Sequence, residues 1–80
     1  MIHATIKVLG KIYKAKGETV QEAIGNLKPG IAKGTSVLTL TKGDKTIEKI
    51  FPARITQNLF SLSPTMRSVH LKQIAMRFDI

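Results

Sequence analysis

Apolar side chains occupy the even positions from 2 to 8, and polar or charged side chains occupy the odd positions between them. This period of two is typical of a strand with one buried face. Leu9-Gly10 then predicts a tight turn, because glycine adopts positive φ without steric cost. Residues 11–16 return as the second strand of a hairpin. The register of this hairpin decides which of its side chains point into the core. This hairpin therefore constrains the fold more than any other segment of the chain.

A two-residue loop pairs positions whose numbers sum to 19. Tyr13 then lies opposite Ile6 on the apolar side of the hairpin. The other side carries the pairs His3–Lys16, Thr5–Lys14 and Lys7–Ile12. A slip of one residue would turn Lys14 and Lys16 towards the core. The pattern therefore predicts a solvent-facing sheet surface with three lysines, one histidine and one isoleucine.

Residues 19–28 predict a helix. Thr19 and Glu22 have the spacing of a capping box, and Val20, Ala23, Ile24 and Leu27 share one face.

Residues 35–41 and 46–51 predict a second hairpin, with its turn at residues 42–45. The face expected to join the core consists of Leu38, Leu40, Ile47 and Phe51. The face expected to be exposed to solvent consists of Thr39, Thr41, Thr46 and Glu48.

The last third of the chain leaves two interpretations open. Ser63-Pro64 is a good helix start, and Leu71, Ile74, Ala75 and Phe78 have helical spacing. Ile74, Met76, Phe78 and Ile80 also alternate as a strand would. We favour the helix. The prediction is a single α+β domain over residues 1–80, in the order ββαββα, with a mainly antiparallel four-stranded sheet and two helices on one of its faces.

The chain is strongly basic, with 13 Lys and Arg against 5 Asp and Glu and a formal net charge of +8. This favours an anionic partner, either nucleic acid or an acidic protein surface. No apolar run is long enough to span a membrane, and no signal-peptide pattern opens the chain. With no cysteine, disulfides and thiolate chemistry are excluded. The expected location is the cytoplasm, or a host cytoplasm or virion if a phage encodes the protein.

No catalytic pattern stands out in the sequence. His3 and His70 have no second metal-ligand residue three or four positions away, and no serine lies in a Gly-x-Ser-x-Gly turn. The five carboxylates are scattered singly. We expect neither an enzyme, nor a metal site, nor a cofactor.

The candidate site is a set of lysines that could contact nucleic-acid phosphates without base specificity. It consists of Lys7, Lys11, Lys14, Lys16 and Lys33. Lys33 lies in a glycine-containing loop, residues 28–36, that lacks the order of a Walker A motif. The loop is otherwise an ordinary helix-to-strand connection. Lysines on a strand also commonly face solvent with no ligand, and on an edge strand they prevent pairing with other chains. Tyr13 is expected to point inward, which disfavours base stacking.

An alternative function is protein interaction or assembly, including formation of a homo-oligomer. On the last predicted helix, Met66, Val69 and Met76 lie on a different side from Leu71, Ile74 and Phe78. Methionine suits an adaptable contact surface, and it also fills gaps in cores. A phage-encoded structural or inhibitor protein is one example of this alternative.

The opening hairpin and helix, from Ile2 to Leu27, resemble the start of a β-grasp, the arrangement of ubiquitin. The resemblance covers about a third of the chain and implies the fold of that segment only. Ubiquitin-like modifiers and sulfur carriers end in Gly-Gly, whereas this chain ends in Arg77-Phe78-Asp79-Ile80. A carrier function is therefore not implied. Size and lysine content also resemble those of small phage-encoded accessory proteins.

Overall fold

The computed structural model describes residues 1–29, 33–61 and 64–78. Within them the chain forms, in order, β1 (Ile2–Val8), β2 (Lys11–Gly17), α1 (Val20–Gly25), β3 (Ser36–Lys42), β4 (Lys45–Phe51), α2 (Ala53–Ser61) and α3 (Pro64–Ala75). The strands form one sheet in the order β2-β1-β3-β4, and every neighbouring pair is antiparallel. The predicted α+β class and ββαββα order are confirmed, with the final helical region divided into α2 and α3.

The register of the first hairpin is the predicted one. Ile6 pairs with Tyr13, Thr5 with Lys14 and His3 with Lys16. Leu9 and Gly10 have φ values of 51° and 77°. Two positive φ values are the signature of a type I′ turn, whose twist matches that of the strands it joins. The turn therefore fixes the pairing that sorts apolar from cationic side chains.

One face of the sheet carries the core, and the helices supply the other half of it. Buried side chains of β1 and β3 pack with Ile24 and Leu27, with Leu59 of α2, and with Ile74 and Phe78. The predicted core residues Leu38, Leu40 and Phe51 are buried, and Ile47 packs against them partly buried. Burying each such side chain stabilises the fold by roughly 1.5–3 kcal/mol.

Helix α1 is shorter than predicted: it ends at Gly25 instead of continuing to residue 28. Gly25 and Asn26 both have low helix propensity. Asn26 also has a competing partner, because its Nδ2 donates to the carbonyl of Lys16 at 2.9 Å. The start of the helix is as predicted, since Thr19 Oγ1 accepts from the Glu22 N–H at 3.1 Å. The Glu22 carboxylate reaches back to the N–H of Glu18 rather than to that of Thr19.

The end of the chain is helical up to Ala75, so the helical interpretation of this region is confirmed and the strand alternative is wrong. Phe78 lies beyond the helix and is still buried, with its ring 6.4 Å from that of Phe51 in an edge-to-face arrangement. Lys49 Nζ lies 5.8 Å from the centre of the same Phe78 ring. The proposed cap residue Ser63 lies outside the described residues.

A buried pair of hydroxyls joins the sheet to α2. Ser36 Oγ and Thr56 Oγ1 are 2.6 Å apart and both residues are fully buried. Thr56 Oγ1 also donates to the Pro52 carbonyl at 3.3 Å. When the hydroxyl proton of Thr56 goes to the Pro52 carbonyl, the hydroxyl proton of Ser36 is the one donated to Thr56 Oγ1. The pair thus holds the first turn of α2 against the start of β3.

We predict that Leu9→Asn raises the free energy of unfolding by about 1 kcal/mol. A left-handed conformation costs about 1–2 kcal/mol for most side chains and less for asparagine. Urea denaturation measures the change. Leu9→Ala is the control, since it shortens the side chain but keeps the energetic cost of the left-handed backbone conformation. An equal increase in the free energy of unfolding for the alanine variant would contradict this explanation.

We predict that Thr56→Val destabilises the fold by about 1–3 kcal/mol, because it leaves the buried Ser36 hydroxyl without its acceptor. Adding Ser36→Ala to Thr56→Val should recover part of that loss, since the unpaired group is then gone. A double-mutant cycle in urea measures the coupling. Strictly additive effects would show that the two hydroxyls do not act as a pair.

Candidate functional site

The second face of the sheet is not covered by the helices. It carries twelve side chains, three from each strand, and none of them is buried or belongs to the core cluster. We call this surface the open face. Its members are His3, Thr5, Lys7, Ile12, Lys14, Lys16, Val37, Thr39, Thr41, Thr46, Glu48 and Ile50.

Strand pairing arranges the open face in three rows that cross the sheet from β2 to β4. The first row is Lys16–His3–Thr41–Thr46, the second is Lys14–Thr5–Thr39–Glu48, and the third is Ile12–Lys7–Val37–Ile50. The cations lie on β1 and β2, hydroxyls fill the centre, and isoleucines stand at both ends of the third row.

Three predicted site residues, Lys7, Lys14 and Lys16, share this face and are exposed. Lys14 and Lys16 are two positions apart on one strand, a separation of about 6.5–7 Å between Cα atoms. Lys7 lies diagonally from Lys14 on the neighbouring strand, at about 7–8 Å. The one carboxylate of the open face, Glu48, lies three strands away from Lys14. The lysines therefore form a compact cationic area.

The remaining two predicted lysines lie beside the open face rather than on it. Lys11 pairs with Val8, so it has the alternation of the core face, and it is exposed at the end of an edge strand. Lys33 is exposed next to Gly34, whose position is in contact range of the Leu9 side chain. Both lysines thus lie near the β1–β2 turn, at the same end of the sheet as Lys7.

Lys7 also lines a shallow depression of about 360 Å³ on the open face. Its other walls are Thr5, Ile12, Val37, Thr39 and Glu48. The depression combines one ammonium group, one carboxylate, two hydroxyls and aliphatic surface. The exposure of Thr39 and Thr41 on this side of β3 was predicted, but the position of β3 beside β1 was not, because the hydrophobic pattern of β1 does not tell which strand pairs with its second edge.

The predicted apolar stripe on the last helix is exposed where the structure describes its side chains. Val69 is 54% exposed and Met76, just beyond α3, is 79% exposed. Leu71 and Ile74 on the opposite side are buried. The side chain of Met66 lies outside the described residues.

The histidines do not meet. His3 is exposed on the open face, whereas the Nε2 atom of His70 on α3 is buried and has no hydrogen-bond partner in the described part of the chain. In that same part, no three His, Asp or Glu side chains come together as metal ligands would. None of the described helices is both long and apolar enough to cross a bilayer.

Comparison of the chain with protein-family models, with curated proteins and with solved structures gives no match. The open face and the α3 stripe are therefore interpreted from their own chemistry.

Proposed function

We propose that the protein is a non-enzymatic module that binds nucleic acid through its phosphates, without base specificity, on the open face. The observation that carries the proposal is the gathering of Lys7, Lys14 and Lys16 on one uncovered surface of a chain with a net charge of +8. Lys11 and Lys33 extend the cationic area at the turn end. Each phosphate that these ammonium groups neutralise releases a counter-ion, which is the main source of non-specific affinity.

The side chains of the open face suit phosphate better than bases. Lysine is a point charge with rotatable donors and lacks the fork with which arginine recognises guanine. The threonine hydroxyls at the centre of the face are further donors for phosphate oxygens. None of the twelve side chains is Phe, Tyr or Trp, and Tyr13 packs towards the core. The imidazole of His3 is the one ring on this face, so base stacking, the usual means of holding single strands, has no extended platform here.

We predict that Lys14→Glu with Lys16→Glu abolishes most of the binding to a mixed-sequence oligonucleotide. The double change lowers the net charge by four, from +8 to +4. It should also make the plot of the logarithm of the association constant against the logarithm of the salt concentration less steep by about 2, because each lost phosphate contact contributes about 0.9 to the magnitude of that slope for duplex DNA. Fluorescence anisotropy at several salt concentrations, with single- and double-stranded probes, measures both quantities.

The matched control is Lys42→Glu with Lys45→Glu, which changes net charge equally at two exposed lysines that close the second hairpin. The proposal expects the control to retain at least ten times the affinity of the Lys14/Lys16 variant. Equal losses would mean that net charge, and not the open face, governs binding. No binding by the parent chain at low salt would end the proposal.

A second candidate function is assembly with another protein through the apolar α3 surface. The specific observation is that Val69 and Met76 are largely exposed while their neighbours Leu71 and Ile74 are buried. Val69 lies within α3 and Met76 directly follows it, and exposed apolar side chains grouped in this way are typical of contact surfaces.

If this second surface mediates assembly, Met76→Lys should abolish a salt-tolerant multimer or heterocomplex, because the ammonium group cannot be buried in an apolar contact. Size-exclusion chromatography coupled to light scattering at high salt detects the loss. Gln73→Lys, at an exposed position within α3, is the control for added charge. A complex that tolerates both changes would exclude this surface.

A further inference from the structure

The outer strands β2 and β4 each leave one edge without a neighbouring strand in the described part of the chain. Each hairpin has a two-residue loop, so the residue after it, Lys11 or Lys45, directs its N–H back to the preceding strand. Backbone groups alternate in direction along an antiparallel strand. The outward groups of β2 therefore belong to Ile12, Lys14 and Lys16. Those of β4 belong to Thr46, Glu48 and Ile50.

The β2 edge is partly closed at one end. The carbonyl of Lys16 accepts from Asn26 Nδ2 at 2.9 Å, which confirms that it points away from β1. The outward groups of Ile12 and Lys14 lie further along the strand, towards the β1–β2 turn. Two residues on an edge strand supply two N–H and two C=O groups, enough for a short ladder with another strand.

We propose that this β2 edge pairs with β4 of a second copy of the chain. In the proposed register Lys14 lies opposite Glu48 of the second copy, and Ile12 lies opposite its Ile50. The inference does not depend on nucleic-acid binding. Because β2 and β4 run in opposite directions within the sheet, two copies side by side in the same orientation continue the antiparallel sheet.

Charge complementarity favours this register over the pairing of two like strands. It places no two like charges opposite each other along the junction. On the core side it puts Tyr13 beside Lys49, Ala15 beside Ile47, and Lys11 beside Phe51. Pairing β2 with another β2 puts lysine opposite lysine when Lys14 is central, and pairing β4 with another β4 puts Glu48 opposite itself in the equivalent register. Like charges directly opposite are destabilising in a sheet.

The same register also covers the two exposed isoleucines of the sheet. Ile12 is 58% exposed and Ile50 is 68% exposed. They stand at opposite ends of one row, so a copy placed edge to edge brings the Ile50 of one molecule against the Ile12 of the other. Apolar surface that is costly on a monomer is then removed from water.

Such a contact uses different surfaces on its two partners, and it does not close on itself in a pair. It therefore generates a closed ring if the rotation between copies closes, and otherwise an open row of copies whose length grows with protein concentration. Each added copy places its open face on the same side of the continued sheet, turned by the accumulated twist of its four strands. The lysine areas of successive copies then recur along the row on the same side of the sheet, separated by β3 and β4 of each copy.

Disulfide trapping tests the register, because the chain has no cysteine of its own. Ile12→Cys and Ile50→Cys variants are mixed and oxidised without nucleic acid. A hydrogen-bonded antiparallel pair has Cα atoms about 5.5 Å apart, within the range of a disulfide. The expected product is a dimer joined through positions 12 and 50, and a ladder of multimers from the chain that carries both changes. Ile12→Cys mixed with Thr46→Cys is the control and should give less than a tenth of that yield.

A charge exchange provides the second test. Lys14→Glu and Glu48→Lys should each lower the 12–50 disulfide yield at least fivefold, and the two changes together should restore it. Circular dichroism establishes that each variant is folded. Equal yields from the 12–50 and 12–46 mixtures, or a charge exchange that fails to restore the yield in folded protein, would overturn the proposal.

Discussion

The pairing of β1 with β2 governs both the core and the surface of this protein. The type I′ turn at Leu9-Gly10 aligns Ile6 with Tyr13 on one face and Thr5 with Lys14 on the other. A slip of one residue would turn Lys14 to the core side, where Tyr13 and Ala15 now pack partly buried against the core, and removing an unpaired ammonium group from water is unfavourable. The core therefore enforces the register, and the register in turn gathers the lysines. Stability and the candidate site share one cause.

Several parts of this architecture could be predicted because they depend on local signals. Alternation fixed the strand faces, and Thr19 with Glu22 marked the start of α1. The Lys14 and Lys16 side chains followed from the same alternation. What could not be predicted depends on contacts between distant residues. The end of α1 depends on Asn26 reaching Lys16, and the buried Ser36–Thr56 pair depends on α2 packing against β3.

The two ends of the open face have different chemistry. Towards β2 it presents ammonium groups, whereas towards β4 it presents Glu48 and Ile50. Between them lie threonine hydroxyls, which tolerate both phosphate and water. This asymmetry suits a surface that attracts a polyanion to one half and meets a neighbouring molecule at its edges. The helical layer leaves this side of the sheet free, and it carries its own exposed apolar side chains at Val69 and just beyond α3 at Met76.

The central claim is that the cationic half of the open face is where a polyanion binds. Amide chemical-shift mapping of ¹⁵N-labelled protein, titrated with a mixed-sequence oligonucleotide at low salt, tests it directly. We expect the largest shifts at residues 5–7 and 12–16, with smaller changes at Lys33 and little change along α3. Shifts concentrated around Val69 and Met76, or spread evenly over all lysines of the chain, would contradict the claim.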